Sequence, residues 1–297
     1  MKLIVVVSKL MVGVEMSSYE QQYLDTIRTI LNKGTWEYNS RTDTRCLTIP
    51  RLVMEYTLDS KSMPLLTTRP SYPISAVAEI LGYLRRYTNA QQFAEIGSPT
   101  WFKNANETQA WVGNPYRKGG NDLGLVYGAA LSEEYISNIL NQLVLRRDDR
   151  GLKLDWWQPD SFDKSALRPC LSDHQFMIVG ETLNLTSNQR STDFMCGKNF
   201  NALQVYFLGM LGCKLSGLEG GTALHVMNHV HIYENHLEGV EELLTRKPSP
   251  VKVNFSINEN VELALDVLEG DRHAKEYFKL GGYKGVAQPR INFEMVA

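Results

Sequence analysis

Apolar residues recur along this chain at two spacings, and the change from one to the other divides it into elements. Tyr23, Ile27, Ile30 and Leu31 share a helical face within 17–33, and Gly34 follows as a stop. Val77, Ile80, Leu81 and Leu84 repeat that spacing over 74–87. A third helix is predicted over 132–145, ending in Arg146-Arg147-Asp148-Asp149-Arg150. A fourth, over 200–211 with Gly212 near its end, is so apolar that it predicts a core helix. Segments 175–179 and 183–186 have the signature of strand, turn, strand. His231-Ile232-Tyr233 alternates, so both polar side chains point to one face. The segments 37–45 and 114–121 are polar and predict loops. The start, 1–14, is apolar; its β-branched run lacks the small-residue cleavage site of a signal peptide and is taken as a strand.

Composition narrows the class. With 43% hydrophobic residues, 297 residues can bury a substantial core. The formal charge of −2 gives no global basic field for nucleic acid, so an anionic ligand needs a local arginine cluster. No apolar run approaches the roughly 20 residues of a membrane span. Cys46, Cys170, Cys196 and Cys213 show no metal-type spacing and suit a reducing cytosol. His225 and His229 are four residues apart but outside an HExxH pattern, so no metal is expected.

The chemistry concentrates between Leu167 and Asn201. This stretch holds Leu167-Arg168-Pro169-Cys170, Gln175-Phe176, Gln189-Arg190-Ser191-Thr192-Asp193 and Gly197-Lys198-Asn199-Phe200-Asn201. Cysteine supplies a soft nucleophile, arginine a fixed cation that lowers a thiol pKa or holds a phosphate, and asparagine can read a pyrimidine edge. Each has a plainer alternative. A lone cysteine is often a small buried hydrophobe, which suits Cys46, Cys196 and Cys213. A helical glutamate such as Glu79 is usually solvated. Basic residues at a helix end, here Arg146 to Arg150, often only complement the dipole. A Cys170–His174 hydrolase pair is weak, because on a strand the two lie about 13 Å apart.

Taken together, these motifs resemble the thymidylate synthase superfamily, which includes the pyrimidine nucleotide hydroxymethylases. The likeness runs from Tyr19 to the C-terminus, without a gap from Trp157 through Tyr233. It implies an α/β (α+β) three-layer fold, with a large mixed β-sheet that forms a homodimer interface. It implies one catalytic domain over 1–297, with an extension at 1–16, a strand at 63–69 and a closing tail at 282–297. Cys170 would be the nucleophile, activated by Arg190, with Glu79 as acid/base and Tyr127 beside them. Arg41, Arg150, Gln189 and Ser191 would serve the nucleotide, Asn201 its uracil, and His231 and Tyr233 its sugar. Arg150 would reach across the dimer. Trp101, Asp193, Gly197 and Val296 would meet the co-substrate 5,10-methylenetetrahydrofolate.

The reaction implied is one-carbon transfer to C5 of dUMP through a Cys170–C6 adduct. Asn201 favours dUMP over dCMP, because relatives that use cytosine can carry Asp there. The sequence departs from the family at Asn104, at Ala130-Leu131-Ser132, and at Gly151, Leu171 and His229. The first two positions normally build a wall that keeps water out. The expected product is therefore 5-hydroxymethyl-dUMP, as in phage enzymes, with dTMP as the alternative and an inactive nucleotide-binding homologue as the second. The expected setting is cytoplasmic (the host's, if viral), with no membrane and no nucleic acid required.

Overall fold

The computed structural model describes residues 19–40 and 43–295. The strand expected over 1–14, the extension expected at 1–16, Arg41 and Val296 lie outside the described residues. Helix α1, Tyr19–Lys33, buries Tyr23, Leu24, Ile27 and Ile30, the stripe its sequence predicts. Its first turn carries Glu20, whose carboxylate accepts 2.7 Å hydrogen bonds from the backbone N–H groups and the hydroxyls of both Thr67 and Thr68. This corrects the strand expected over 63–69. Those amides serve a buried carboxylate instead of a ladder, and the segment has no regular structure.

Strands β1, Thr35–Asn39, and β2, Thr44–Thr57, pair antiparallel across the segment predicted as a loop. The polar residues there belong to strand ends, and Arg45 stacks on Trp36 at 4.6 Å. The chain continues through β3 (Lys153–Asp155), β4 (Leu171–Val179), β5 (Thr182–Gln189), β6 (Thr192–Asp193) and β7 (Glu219–Tyr233). These seven strands form one mixed sheet in the order β1-β2-β7-β5-β4-β3, with β6 on β7. The β5–β7 and β6–β7 pairs are parallel and the others antiparallel. The β4–β5 hairpin is the predicted strand, turn, strand, turning at Gly180 with φ +63°. A small second sheet joins β8, Asn254–Ile257, to β9, Phe278–Gly281.

Helix α2, Pro73–Leu84, is shorter than predicted. It ends in a Schellman-type closure, with Arg86 at φ +59° and the Tyr87 N–H donating to the Gly82 carbonyl at 2.9 Å. Helix α3, Glu133–Val144, starts on Ser132, whose hydroxyl accepts from the Tyr135 N–H. Helix α4, Lys198–Ser216, is longer than predicted. Gly212 is a packing site, since a Cβ there would lie 3.0 Å from the Phe176 ring; the stop is Gly217, in the left-handed region. Helix α5, Leu237–Thr245, follows the sheet.

Helix α4 lies between the strands β4, β5 and β7 on one side and α2 and α3 on the other, which makes three layers. The opposite sheet face stays partly open, with Val53 half-exposed. Between α2 and α3, the turn Tyr127–Ala130 brings Gly128 against α2. A Cβ at 128 would sit 1.8 Å from the Tyr83 carbonyl oxygen, a backbone atom that cannot rotate away. Gly128→Ala is expected to destabilise the protein by about 3 kcal/mol, at the upper end of overpacking costs, measured as a lower urea midpoint.

Candidate active site

Cys170 stands immediately before β4, half-buried. Its N–H donates to the Tyr127 hydroxyl at 2.9 Å, and its carbonyl accepts from the Arg190 N–H at 2.9 Å. Arg190 follows β5 and spans the cysteine's loop. Its Nε donates to the Pro169 carbonyl at 2.8 Å, a terminal nitrogen donates to the Arg168 carbonyl at 3.2 Å, and its guanidinium covers Trp157. A cation is thereby fixed on the segment that carries the thiol, the arrangement that supports a nucleophilic cysteine. Tyr127 stacks face to face on Tyr83 at 4.0 Å and adopts φ +45°, a strained backbone held by its surroundings.

Glu79, on α2, is buried rather than solvated. Its carboxylate accepts from the Tyr83 hydroxyl at 2.5 Å, the Thr100 hydroxyl at 2.8 Å and the Gln204 amide at 3.1 Å. Burial raises its pKa, and the bonds from Tyr83 and Thr100 oppose the rise. A carboxyl whose pKa is raised by burial while it stays hydrogen-bonded is suited to giving and taking a proton.

Asn201, on the first turn of α4, is tied to both neighbours. Its Oδ1 accepts from Gln189 Nε2 at 3.2 Å, and its Nδ2 donates to Gln204 Oε1 at 2.9 Å. Gln189 also donates to the Ser191 carbonyl at 3.0 Å. Gly197 precedes α4, where a Cβ would approach the Asp193 carbonyl and Asn201 Oδ1 at 3.3 and 3.4 Å. The structure thus joins Glu79, Asn201 and Gln189 in one network.

His231 and Tyr233 end β7 with their rings 4.9 Å apart, as the alternation predicted. His231 Nδ1 bonds the His229 carbonyl at 2.8 Å, and burial lowers its pKa. His229 turns outward at φ +45° to meet Glu37 at 3.2 Å. Arg150 lies on an exposed turn at φ +72°, where its carbonyl accepts from Gln175. It is not brought to the other site residues within the chain. His174 is fully buried and bonded to Ser187 at 2.6 Å. Burial lowers its pKa to about 3, so it cannot pair with Cys170 as a base.

A cleft of about 410 Å³ opens beside the network. Arg69, Tyr72, Thr100, Asn199, Phe200 and Phe293 are among its walls. Trp101 and Asp193 do not line it. Trp101 is buried among Phe93, Tyr83 and Tyr127, and the Asp193 carboxylate accepts from the Met195 and Cys196 N–H groups at 3.0 Å. Thr100, next to Trp101, and Cys196, three residues after Asp193, face the cleft instead. The tail closes one side: His236 bonds the Glu294 carbonyl at 2.7 Å, and the Arg69 guanidinium lies 4.8 Å from the Phe293 ring centroid.

Sequence reasoning missed Tyr83, Thr100, Gln204 and His225. Tyr83 is four residues from Glu79 and Gln204 three from Asn201, so helical spacing could have found both. Thr100 and His225 left no local signal.

A thiol loop pinned by arginine thus lies beside a buried glutamate wired to an asparagine. The chain belongs to the thymidylate synthase family, whose profile matches residues 21–297. It is 42% identical over 257 residues to the thymidylate synthase of Shewanella piezotolerans, covering 83% of this chain and 90% of that protein. It is 41% identical over 257 residues to that of Haemophilus influenzae and 40% over 256 to that of Pseudoalteromonas translucida, with the same coverage in both cases.

The raised Glu79 pKa has a consequence for stability. A folded-state pKa above the unfolded value of about 4.3 means that stability present below that pH is lost as pH rises through the folded value. Glu79→Gln removes that loss. The unfolding free energy of Glu79→Gln relative to wild type should therefore rise with pH across this window and flatten above it, read by urea unfolding from pH 4 to 8. A difference that does not change with pH would show that the carboxyl titrates at its ordinary value.

Proposed function

We propose that this chain transfers a one-carbon unit from 5,10-methylenetetrahydrofolate to C5 of dUMP, with dTMP as product. The observation that carries this reading is the network of Glu79, Gln204, Asn201 and Gln189 beside the Cys170 loop. The names of the relatives support the methylated product over the hydroxymethylated one. The cleft suits a flat heteroaromatic co-substrate: Tyr72, Phe200 and Phe293 supply apolar walls, and Arg69, Thr100 and Asn199 supply polar groups. That co-substrate supplies the carbon and, for dTMP, the hydride.

The chain's own residues do the rest. The Cys170 sulfur adds to C6, which leaves electron density at C5, and the same bond breaks when the C5 proton has gone. Arg190 holds the thiol loop and, with Ser191, Arg41 and Arg150, binds the 5′-phosphate. Tyr127 fixes the Cys170 backbone, Glu79 moves protons at the ring, Asn201 reads the uracil edge, and His231 with Tyr233 meets the 3′-hydroxyl. Trp101, Asp193 and Gly197 support the folate side from behind the cleft walls, and Val296 would meet the folate from the tail. Arg150, remote from the site in its own chain, reaches a second subunit through the open sheet face. The whole chain acts as one catalytic domain with a closing tail.

A second reading keeps 5-hydroxymethyl-dUMP as product. It is favoured by Asn104, a half-buried polar residue three positions after Trp101. The other altered segment weighs less. Leu131 is buried with its carbonyl accepting from Arg86 at 2.7 Å, and Ser132 caps α3, so 130–132 is spent on packing.

Cys170→Ser is expected to lower turnover by at least about three orders of magnitude while dUMP still binds, since phosphate and ring contacts remain. Near-normal turnover would remove Cys170 from its role. The product separates the two readings. Incubation with dUMP and methylenetetrahydrofolate should yield dTMP and dihydrofolate in equal amounts, followed by ultraviolet absorbance and mass spectrometry. Tetrahydrofolate with 5-hydroxymethyl-dUMP would establish the second reading instead.

A further inference from the structure

An amide reads a base edge only if its oxygen and nitrogen are held the right way round, because the two ends are nearly the same shape. Asn201 is only half-buried, yet both ends of its carboxamide are already committed. Following each bond to its origin shows what fixes the direction.

On the Oδ1 side the chain begins at the Ser191 carbonyl, which can only accept. Gln189 must turn its Nε2 to that oxygen, and the same nitrogen then donates to Asn201 Oδ1. Gln189 Oε1 faces the buried His225, 2.9 Å from Nε2, so this ring nitrogen carries the proton. His225 Nδ1 is left to accept from the Tyr56 hydroxyl at 3.1 Å, and that hydroxyl accepts from Lys198 Nζ at 3.4 Å. Every donor on this arm has one consistent direction. On the Nδ2 side the chain begins at the Glu79 carboxylate. It takes an N–H from Gln204, whose Oε1 then accepts from Asn201 Nδ2. Gln189, Gln204 and His225 are all fully or almost fully buried, so water cannot substitute for a lost partner.

We propose that Gln204 and His225 are positioning residues that lock the Asn201 carboxamide in one orientation and thereby select a 4-oxo over a 4-amino pyrimidine. The proposal rests on the nucleotide reading above. One Oδ1 lone pair and one Nδ2 hydrogen remain free. The Nδ2 end lies on the Glu79 side, where the C4–C5 edge of a ring under attack must face, so Nδ2 meets the group at C4 and Oδ1 meets N3. Uracil, with O4 and N3–H, matches. Cytosine, with an amino group at C4 and a bare N3, meets donor with donor and acceptor with acceptor. Turning the amide to suit cytosine sets Nδ2 against the Gln189 amide nitrogen and Oδ1 against Gln204 Oε1. Turning both glutamines as well sets their oxygens against the Ser191 carbonyl and the Glu79 carboxylate.

The lock is read as the ratio of dCMP to dUMP dissociation constants for the full chain, by titration calorimetry without folate. Wild type should prefer dUMP by about a hundredfold or more. Gln204→Met, similar in volume but without the amide, should shrink that ratio about tenfold. Gln204→Glu, measured at a pH low enough for one proton to be shared with the Glu79 carboxylate, still offers Asn201 Nδ2 an acceptor and should keep the ratio within about threefold of wild type. His225→Leu, on the other arm, carries the same expectation as Gln204→Met and stands in for it if circular dichroism shows that Gln204→Met does not fold. Parallel weakening of both nucleotides with an unchanged ratio overturns the proposal, as does equal loss of selectivity in Gln204→Met and Gln204→Glu. A wild type that binds neither nucleotide overturns the pyrimidine reading itself. A wild type that prefers dUMP, with variants equally selective, overturns the lock alone.

Discussion

The arrangement around the site depends on one buried carboxylate. Charge inside a protein is tolerated only where donors surround it, and Glu79 has three: Tyr83, Thr100 and Gln204. Each of these donors is also committed elsewhere. Tyr83 is stacked on Tyr127, whose hydroxyl accepts from the Cys170 backbone. Gln204 passes the constraint to Asn201. The carboxylate therefore fixes the thiol loop through a pair of rings and the Asn201 carboxamide through that of Gln204. Loosening it would disturb both.

The scaffold makes that arrangement possible. Helix α4 is sandwiched between the sheet and helices α2 and α3, and it carries Asn201 and Gln204 one turn apart. Helix α2 carries Glu79 and Tyr83 four residues apart, again about one turn, facing it. Glycines at 128 and 212 allow the approach by removing side chains where backbone or aromatic atoms stand. Close packing of this kind transmits position, because neither helix can shift without a clash.

A second polar cluster lies deeper and has its own logic. Lys198 is fully buried, its ammonium placed over the Tyr19 ring at 4.3 Å and hydrogen-bonded to the hydroxyls of Tyr19 and Tyr56. Burial lowers its pKa. The cluster continues through Asn199 and Ser71 to the hydroxyl of Tyr283, at the start of the tail. Polar bonds thus run from the sheet to the segment that closes the cleft, where the residues around Phe293 are held by His236 and Arg69.

Much of this was legible in the chain itself. Periodicity gave α1, α2, α3, the core helix and the β4–β5 hairpin, because a stripe facing one core repeats at 3.6 or 2 residues whatever surrounds it. The run from Cys170 to Asn201 carried the likeness to the family whose profile matches residues 21–297. What the sequence could not hold is anything settled between distant residues. Thr67 and Thr68 looked like strand until Glu20, 47 and 48 positions away, took their amides. The polar residues after Glu37 looked like a loop until β2 and β7 gave them a sheet to join. Gly212 stood only near the end of a predicted helix, and Phe176 shows it to be a contact. His225 carried no assignment in the chain, and its role appears only where Tyr56 and Gln189 take both of its nitrogens. Local spacing determines which face a residue occupies; only the packed structure decides what that face meets, because a buried polar group must find its partner wherever the fold places one.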